Sequence, residues 1–290
     1  MNILLKTIQF SFRATSGLFP KMTEKRAFMM FQRIRNKKIR RMEQPFYERS
    51  KHLKIPFEKE AIDAYELGNP KGELVFLIHG WDSNAGCMGG IAEVLKADKR
   101  IVAFNLPAHG FHKEKRTNLL NSSQAFEAVL NHYQPKKPFS VVGHSFGAAV
   151  TIFTLAGLDY PVHKIVLLST PDRLEDMFLE FKKFIHLGDK PYDLLLKRVH
   201  RMFEKPLSAL NVSDAVADID YQDMLIIHDK YDRVLDFGNA ESVARSAPKV
   251  NLVAFQKIGH YRMLWKQEVM EEVERFLMGE GQGKEAVKEV

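Results

Sequence analysis

In the stretch KPFSVVGHSFGAAV (137–150), Ser145 stands between Gly143 and Gly147, where a valine-rich apolar run gives way to an alanine-rich one. A strand ending at Gly143 and a helix beginning just past Ser145 must reverse direction within a few residues. Side chains flanking the serine would collide in such a turn, and glycine at both positions removes them. The turn holds the hydroxyl out at the carboxyl edge of a sheet, where open α/β sheets place their ligands. A serine hydroxyl is a weak nucleophile at neutral pH, so it needs a base, and the base needs an acid to orient it. The expected chain order for this elbow is serine, acid, histidine. Of the histidines after Ser145 (His163, His186, His200, His228 and His260), only His260, in FQKIGHYRML, lies between the last strand and the last helix. For the acid, LIIHDKYDRV offers Asp229 and Asp232. Asp232 is preferred because it lies in the loop beyond the strand end, and Asp229 stays as its rival. Acyl transfer also needs donors for an oxyanion. The backbone N–H of Phe146 follows the serine, and Gly80 in FLIHGWDSNAG permits a close turn that aims the Trp81 N–H at the same point. His79 and His144 are expected to brace these loops by hydrogen bonding rather than to transfer protons.

The elements that must position these groups show the required order. Short β-rich runs recur at 73–78, 100–105, 139–143, 164–169, 223–228 and 250–255, with helical spacing between them, as at Ser122–Tyr133 and Gly147–Leu158. Strands apolar on both faces, alternating with helices, predict a mostly parallel sheet covered on each side. An antiparallel hairpin over HLKIPFEKEAIDAYELGNPKG leads into it. The expected organisation is a basic amphipathic N-terminal segment over 1–45, an α/β core over 46–170 and 216–278, a helical cap over 171–215, and a polar, fraying tail over 279–290. The cap reads as a helical hairpin. One helix presents Leu174, Phe178, Phe181 and Ile185, the other Tyr192, Leu196, Val199 and Phe203, with Gly188 and Pro191 at stop and start positions. Its apolar faces are expected to roof a pocket over Ser145; the plainer alternative is that they pack on the body.

Charge narrows the partners. The chain of 290 residues carries a net +7, yet residues 21–41 hold nine Lys/Arg against Glu24 and residues 1–20 add Lys6 and Arg13, so the remaining 249 residues sum to −3. A body that is not basic argues against nucleic acid as a partner. The basic 21–41 stretch reads as a helix with Ala27, Phe31 and Ile34 on one face, packing on the body. Peripheral contact with an anionic membrane is the second reading. The single cysteine, Cys87, fits a reducing compartment, and no stretch has the apolar length of a membrane span. A cytoplasmic location, with the inner membrane surface as the site of any peripheral contact, is expected. No metal-ligand cluster or phosphate loop stands in the sequence, so no cofactor and no metal are expected.

The blocks LIHGW, NLPAHG, GHSFG, LIIHDKYDRV and IGHYRML, in this order, resemble the α/β-hydrolase superfamily over residues 50–278. The FPKMTEKRAFMMFQRIRNKK lead-in and the H-D-x-x-D and G-H-x-R-x-L blocks look like bacterial esterase/lipase-like serine hydrolases. The resemblance implies an α/β-hydrolase fold, with Ser145 as nucleophile, His260 as base, Asp232 as orienting acid, and Trp81 and Phe146 as oxyanion donors. Two positions depart from the pattern: Asn105 and Ala108 replace the usual aspartate and glycine of the D-x-P-G-H-G loop, and Asp229 replaces a glycine. The expected reaction is hydrolysis of a small-molecule carboxylic ester with an apolar part, through an acyl-enzyme on Ser145. Thioesterase, acyltransferase or C–C hydrolase chemistry, or a non-catalytic membrane-associated binding role, are the alternatives. Haloalkane and epoxide chemistry is disfavoured because it uses a carboxylate where this chain has Ser145.

Overall fold

The computed structural model describes residues 3–246 and 249–279 and the backbone of 286–287. Among the described residues nine strands form one sheet: β1 (Lys51–Phe57), β2 (Glu60–Gly68), β3 (Glu73–Ile78), β4 (Lys99–Phe104), β5 (Phe139–His144), β6 (Val162–Leu168), β7 (Tyr221–Asp229), β8 (Val250–Phe255) and the two-residue β9 (Ala286–Val287). The α-helices are α1 (Ile3–Leu18), α2 (Pro20–Phe31), α3 (Gln44–Arg49), α4 (Gly89–Leu95), α5 (Leu119–Tyr133), α6 (Phe146–Leu155), α7 (Leu174–Ile185), α8 (Asp189–Phe203), α9 (Val212–Ala215), α10 (Phe237–Ser246) and α11 (Gln267–Met278). No helix among the described residues is long and apolar enough to cross a membrane.

The strand order is β1-β2-β4-β3-β5-β6-β7-β8-β9. The β1–β2 hairpin and the β2–β4 pair are antiparallel and every other pair is parallel. The hairpin thus leads into β3 in sequence but pairs with β4 in space, because β3 is used in the interior of the sheet. Chain progression runs one way from β3 to β4 and the other way from β3 to β5. That reversal opens a crevice at the carboxyl ends of β3 and β5, where the Gly80–Trp81 and Ser145 loops begin. Alternation along β3 explains the layers. Val75 and Leu77 join the core that holds Met88, Ile91 and Leu95 around α4 and Val269, Val273 and Leu277 of α11. Phe76 points the other way, edge-on to Phe126 of α5 (5.6 Å between centroids).

The chain divides into two compact units. One runs from Ile34 to Asp172 and resumes at Val212; the other combines the chain up to Arg33 with Arg173–Asn211. This corrects the expected division at several points. The helix of the basic segment stops at Phe31, and Ile34–Lys38 run outside any helix as part of the sheet unit. Asp82 Oδ1 draws them there by accepting the N–H groups of Arg35 (2.7 Å) and Asn36 (3.3 Å). The first 33 residues belong with the helical hairpin: Phe31 packs on Phe178 and Phe181 (4.3 and 5.0 Å), and Glu24 accepts two hydrogen bonds from Arg198. Phe178 and Phe181, expected to roof a pocket, therefore have α2 against them. Helix α7 ends at His186, which takes the left-handed conformation (φ 55°) expected of Gly188; Gly188 instead caps the start of α8, and Pro191 lies in its first turn. The expected polar tail lies outside the described residues, except for Gly279, which closes α11, and Ala286–Val287 beside β8.

Candidate active site

Ser145 is the residue between β5 and α6, and its backbone is strained: φ 53°, ψ −118°. Such a conformation costs a non-glycine residue on the order of 1–3 kcal/mol and must be held by its surroundings. The Ser145 N–H donates to Leu168 O (2.8 Å), fastening the turn to the end of β6. The flanking glycines let the layers close. A Cβ on Gly147 would lie 2.3 Å from Ile78 O, and one on Gly143 would lie 2.7 Å from Gly147 O. Gly147→Ala is accordingly expected to cost at least about 2 kcal/mol in urea unfolding, since the obstacle is main chain that cannot rotate away.

The three residues expected to act together meet at this edge. Ser145 Oγ–H donates to His260 Nε2 (2.9 Å), and His260 Nδ1–H donates to Asp232 Oδ2 (2.7 Å). Asp232 has three further donors: the N–H groups of Val234 (2.7 Å) and Leu235 (3.2 Å) on Oδ1, and the Ser169 hydroxyl (3.0 Å) on Oδ2. Burial alone would push the Asp232 carboxyl up. The hydrogen bond and charge of His260, with the two loop N–H groups, more than offset that and hold it well below the ordinary carboxylate range. The site therefore keeps a carboxylate, an imidazole and a hydroxyl in line, a constellation able to move the serine proton onto His260 as Oγ attacks an electrophile.

Asp229 has a different task. Its oxygens accept N–H bonds from Tyr231 (2.9 Å), Lys257 (2.9 Å) and Gly259, so it ties the loop after β7 to the turn that carries His260. His144 acts on the same turn from below: its Nε2–H donates to the His260 carbonyl oxygen (2.9 Å). His79 Nδ1–H donates to Gly80 O (2.8 Å) while its Nε2 accepts the Leu106 N–H (3.1 Å). Both histidines brace loops, as expected. Burial pushes His144 down to about 3, aided by the charge of His260, and pushes His109 down to about 4. These rings stay neutral in the fold but take up protons once unfolded below about pH 6.5. Stability is therefore expected to be full above that pH and to fall as pH drops toward 4, by about 1 kcal/mol per pH unit for each ring; urea midpoints at pH 7, 6 and 5 measure it.

Trp81 and Phe146 meet edge-to-face (4.9 Å, 88°), and a Cβ on Gly80 would lie 3.1 Å from Ser145 Cβ. The loop after β3 is thus pressed against the elbow. The backbone N–H groups of Trp81 and Phe146 donate to no protein acceptor among the described residues. Tyr261 stands edge-on to His260 (4.9 Å), so an aromatic ring borders the imidazole. Asn105 and Ala108 keep their loop by other means: Asn105 Oδ1 accepts the Ala85 N–H (2.9 Å), and Ala108 occupies the left-handed region (φ 67°) a glycine would enter freely. Cys87 is buried and its thiol is pushed up to about 12 by burial, so it is no nucleophile at neutral pH.

Ser169 is the residue sequence reasoning missed. Its signal was a hydroxyl at the carboxyl end of β6, beside the strand that leads to the acid. His228 supports the same loop, donating from Nε2 to Leu235 O (3.1 Å).

The model of the alpha/beta hydrolase family matches residues 75–276. A serine hydrolase-like protein of Danio rerio is 27% identical over 202 residues, which are 60% of this chain and 62% of the relative; the chain thus spans less than two thirds of that protein's length. The pimeloyl-[acyl-carrier protein] methyl ester esterase of Nitrosomonas europaea is 24% identical over 228 residues, 65% of this chain and 89% of that one. Among solved structures, a serine hydrolase from Cycloclasticus zankles superposes with a TM-score of 0.61 at 18% identity, covering 81% of this chain and all of that one. That likeness is one of fold.

Proposed function

The chain belongs to the alpha/beta hydrolase family, and within it we propose that this protein is a serine hydrolase cleaving carboxylic esters through an acyl-enzyme on Ser145. The observation that carries the reading is the unbroken line from Ser145 through His260 to Asp232. Ser145 Oγ attacks the ester carbonyl carbon as its proton passes to His260 Nε2, and Asp232 stabilises the imidazolium. The carbonyl oxygen takes up the displaced electron pair, and the N–H groups of Trp81 and Phe146 receive it. At Phe146 the donor opens helix α6, whose dipole favours negative charge there. The tetrahedral adduct collapses, its C–O bond to the alcohol breaks, and His260 gives the alcohol its proton. Water then enters, loses a proton to His260 and releases the acid, restoring the Ser145 hydroxyl.

Support for an ester comes from the methyl ester esterase among the relatives. Support for an apolar part in the substrate comes from the paired rings of Trp81 and Phe146, the latter next to the serine in the chain, and from Tyr261 against His260. The intact triad disfavours a purely binding role. The test is labelling by a fluorophosphonate, followed by p-nitrophenyl esters of rising chain length. Wild-type labelling that Ser145→Ala abolishes, with turnover of those esters, is the expected result. A wild-type protein that neither labels nor hydrolyses any of them would refute the reading.

A further inference from the structure

Helix α1 is apolar on two opposite sides. Its inner side, with Phe12 and Ser16, is buried, and Ser16 Oγ accepts the Gly188 N–H at the start of α8 (3.0 Å). Its outer side presents Ile3, Phe10, Ala14 and Leu18, spaced seven, four and four residues apart and so aligned on one face. Ile3, Phe10 and Leu18 are 82, 74 and 76% exposed, and Phe19 and Met22 continue the exposed apolar surface into α2. Half of the strongly exposed large apolar side chains among the described residues fall within residues 3–22. A patch of this kind on a soluble chain marks an interaction surface.

Its charges identify the partner. Helix α1 has no carboxylate, and Lys6 and Arg13 line one edge of its apolar face. Helix α2 adds exposed Lys21, Lys25 and Arg26, and its one acid, Glu24, is buried in the ion pair with Arg198. In the same unit the lining of an open groove of about 840 Å³ includes Lys21, Lys25, Lys197 and Arg201, with Glu24 and Glu175 also in it. We infer that the outer face of α1 and the start of α2 form a monotopic membrane-binding surface, with Ile3, Phe10, Leu18, Phe19 and Met22 entering the acyl boundary of an anionic bilayer and the flanking lysines and arginines meeting its headgroups. Helix α1 lies in the interface plane rather than across it: sixteen residues span about 24 Å, short of the ~30 Å hydrocarbon core. The surface is centred on residues 3–26, ahead of most of the basic 21–41 stretch.

The test is flotation of the full chain with vesicles of phosphatidylcholine alone or mixed with phosphatidylglycerol. Wild type is expected to float with the mixed vesicles. Phe10→Asp with Leu18→Asp should weaken that binding at least about tenfold. Lys6→Glu with Arg13→Glu should weaken it roughly fivefold or more per charge, and only where phosphatidylglycerol is present. Hydrolysis of a soluble p-nitrophenyl ester should be unchanged in both variants, which separates this surface from the proposed chemistry. If the aspartates lower the thermal midpoint, Phe10→Ser with Leu18→Ser replaces them. Wild type left in the soluble fraction, or flotation indifferent to the apolar pair, overturns the inference. So does light scattering that shows a dimer broken by Phe10→Asp without vesicle binding, which would assign the face to a second copy of the chain.

Discussion

Ser145→Ala is expected to fold as the wild type does and to lose about 10⁶-fold in kcat toward p-nitrophenyl esters. The size of the loss follows from the serine's part in every covalent step: without Oγ, His260 and Asp232 have nothing to activate, and only the oxyanion donors and binding remain. The fold should survive because alanine keeps a Cβ at a backbone already held in place by the Ser145 N–H bond to Leu168 and by the glycines on either side. Ser145 is half-buried, so water can take the place of its hydroxyl on His260 Nε2. Urea unfolding is expected to shift by less than about 1 kcal/mol. A large loss of stability would instead mean that the hydroxyl holds the turn together.

Asp232→Asn is expected to lower kcat by about 10⁴-fold with little change in KM. The carboxylate serves four donors, and an amide has only one oxygen to offer. The loop N–H groups of Val234 and Leu235 both lie on Oδ1, so the carbonyl of asparagine belongs there. Its NH₂ then faces His260 Nδ1, which must become an acceptor. The imidazole proton moves to Nε2, and the ring can no longer take the proton of Ser145. Asp229→Asn makes the discriminating comparison. It disturbs the turn that holds Lys257 and Gly259, so it should cost stability while leaving kcat well above that of Asp232→Asn. The reverse order of effects on kcat would assign the orienting acid to Asp229.

Much of this site is readable from local patterns. The β-rich runs at 73–78 and 250–255 coincide with β3 and β8, because strands buried on both faces need uninterrupted apolar sequence and leave little freedom at their ends. Ser145 is legible because the flanking glycines meet a steric need that nothing else at the turn satisfies. Asp232 and His260 are legible from where their loops leave the sheet. Ser169 is not, since a serine hydroxyl finds partners in many settings and only the β6–β7 pairing brings it to Asp232. The association of α1 and α2 with α7 and α8 is equally hidden. Phe31 and Phe178 each mark an apolar helix face, but an apolar face carries no address for its partner. The helix stop at His186 also escapes pattern reading, because a left-handed residue other than glycine costs only on the order of 1–2 kcal/mol, which tertiary packing overrides.

The helical unit is stitched from two stretches that lie far apart along the chain, and this orders its birth. Helices α1 and α2 leave the ribosome before α7 and α8, which follow only after Gln32–Arg173 has been made. At bacterial or eukaryotic synthesis rates that interval is on the order of 10–30 s. Throughout it, Phe12, Ala27 and Phe31 lack the helices that later cover them, and the nascent chain carries two adhesive helices while the β-sheet is still being assembled. A chaperone or a lipid surface that engages the emerging α1 would shield it at the one stage when aggregation has the most opportunity.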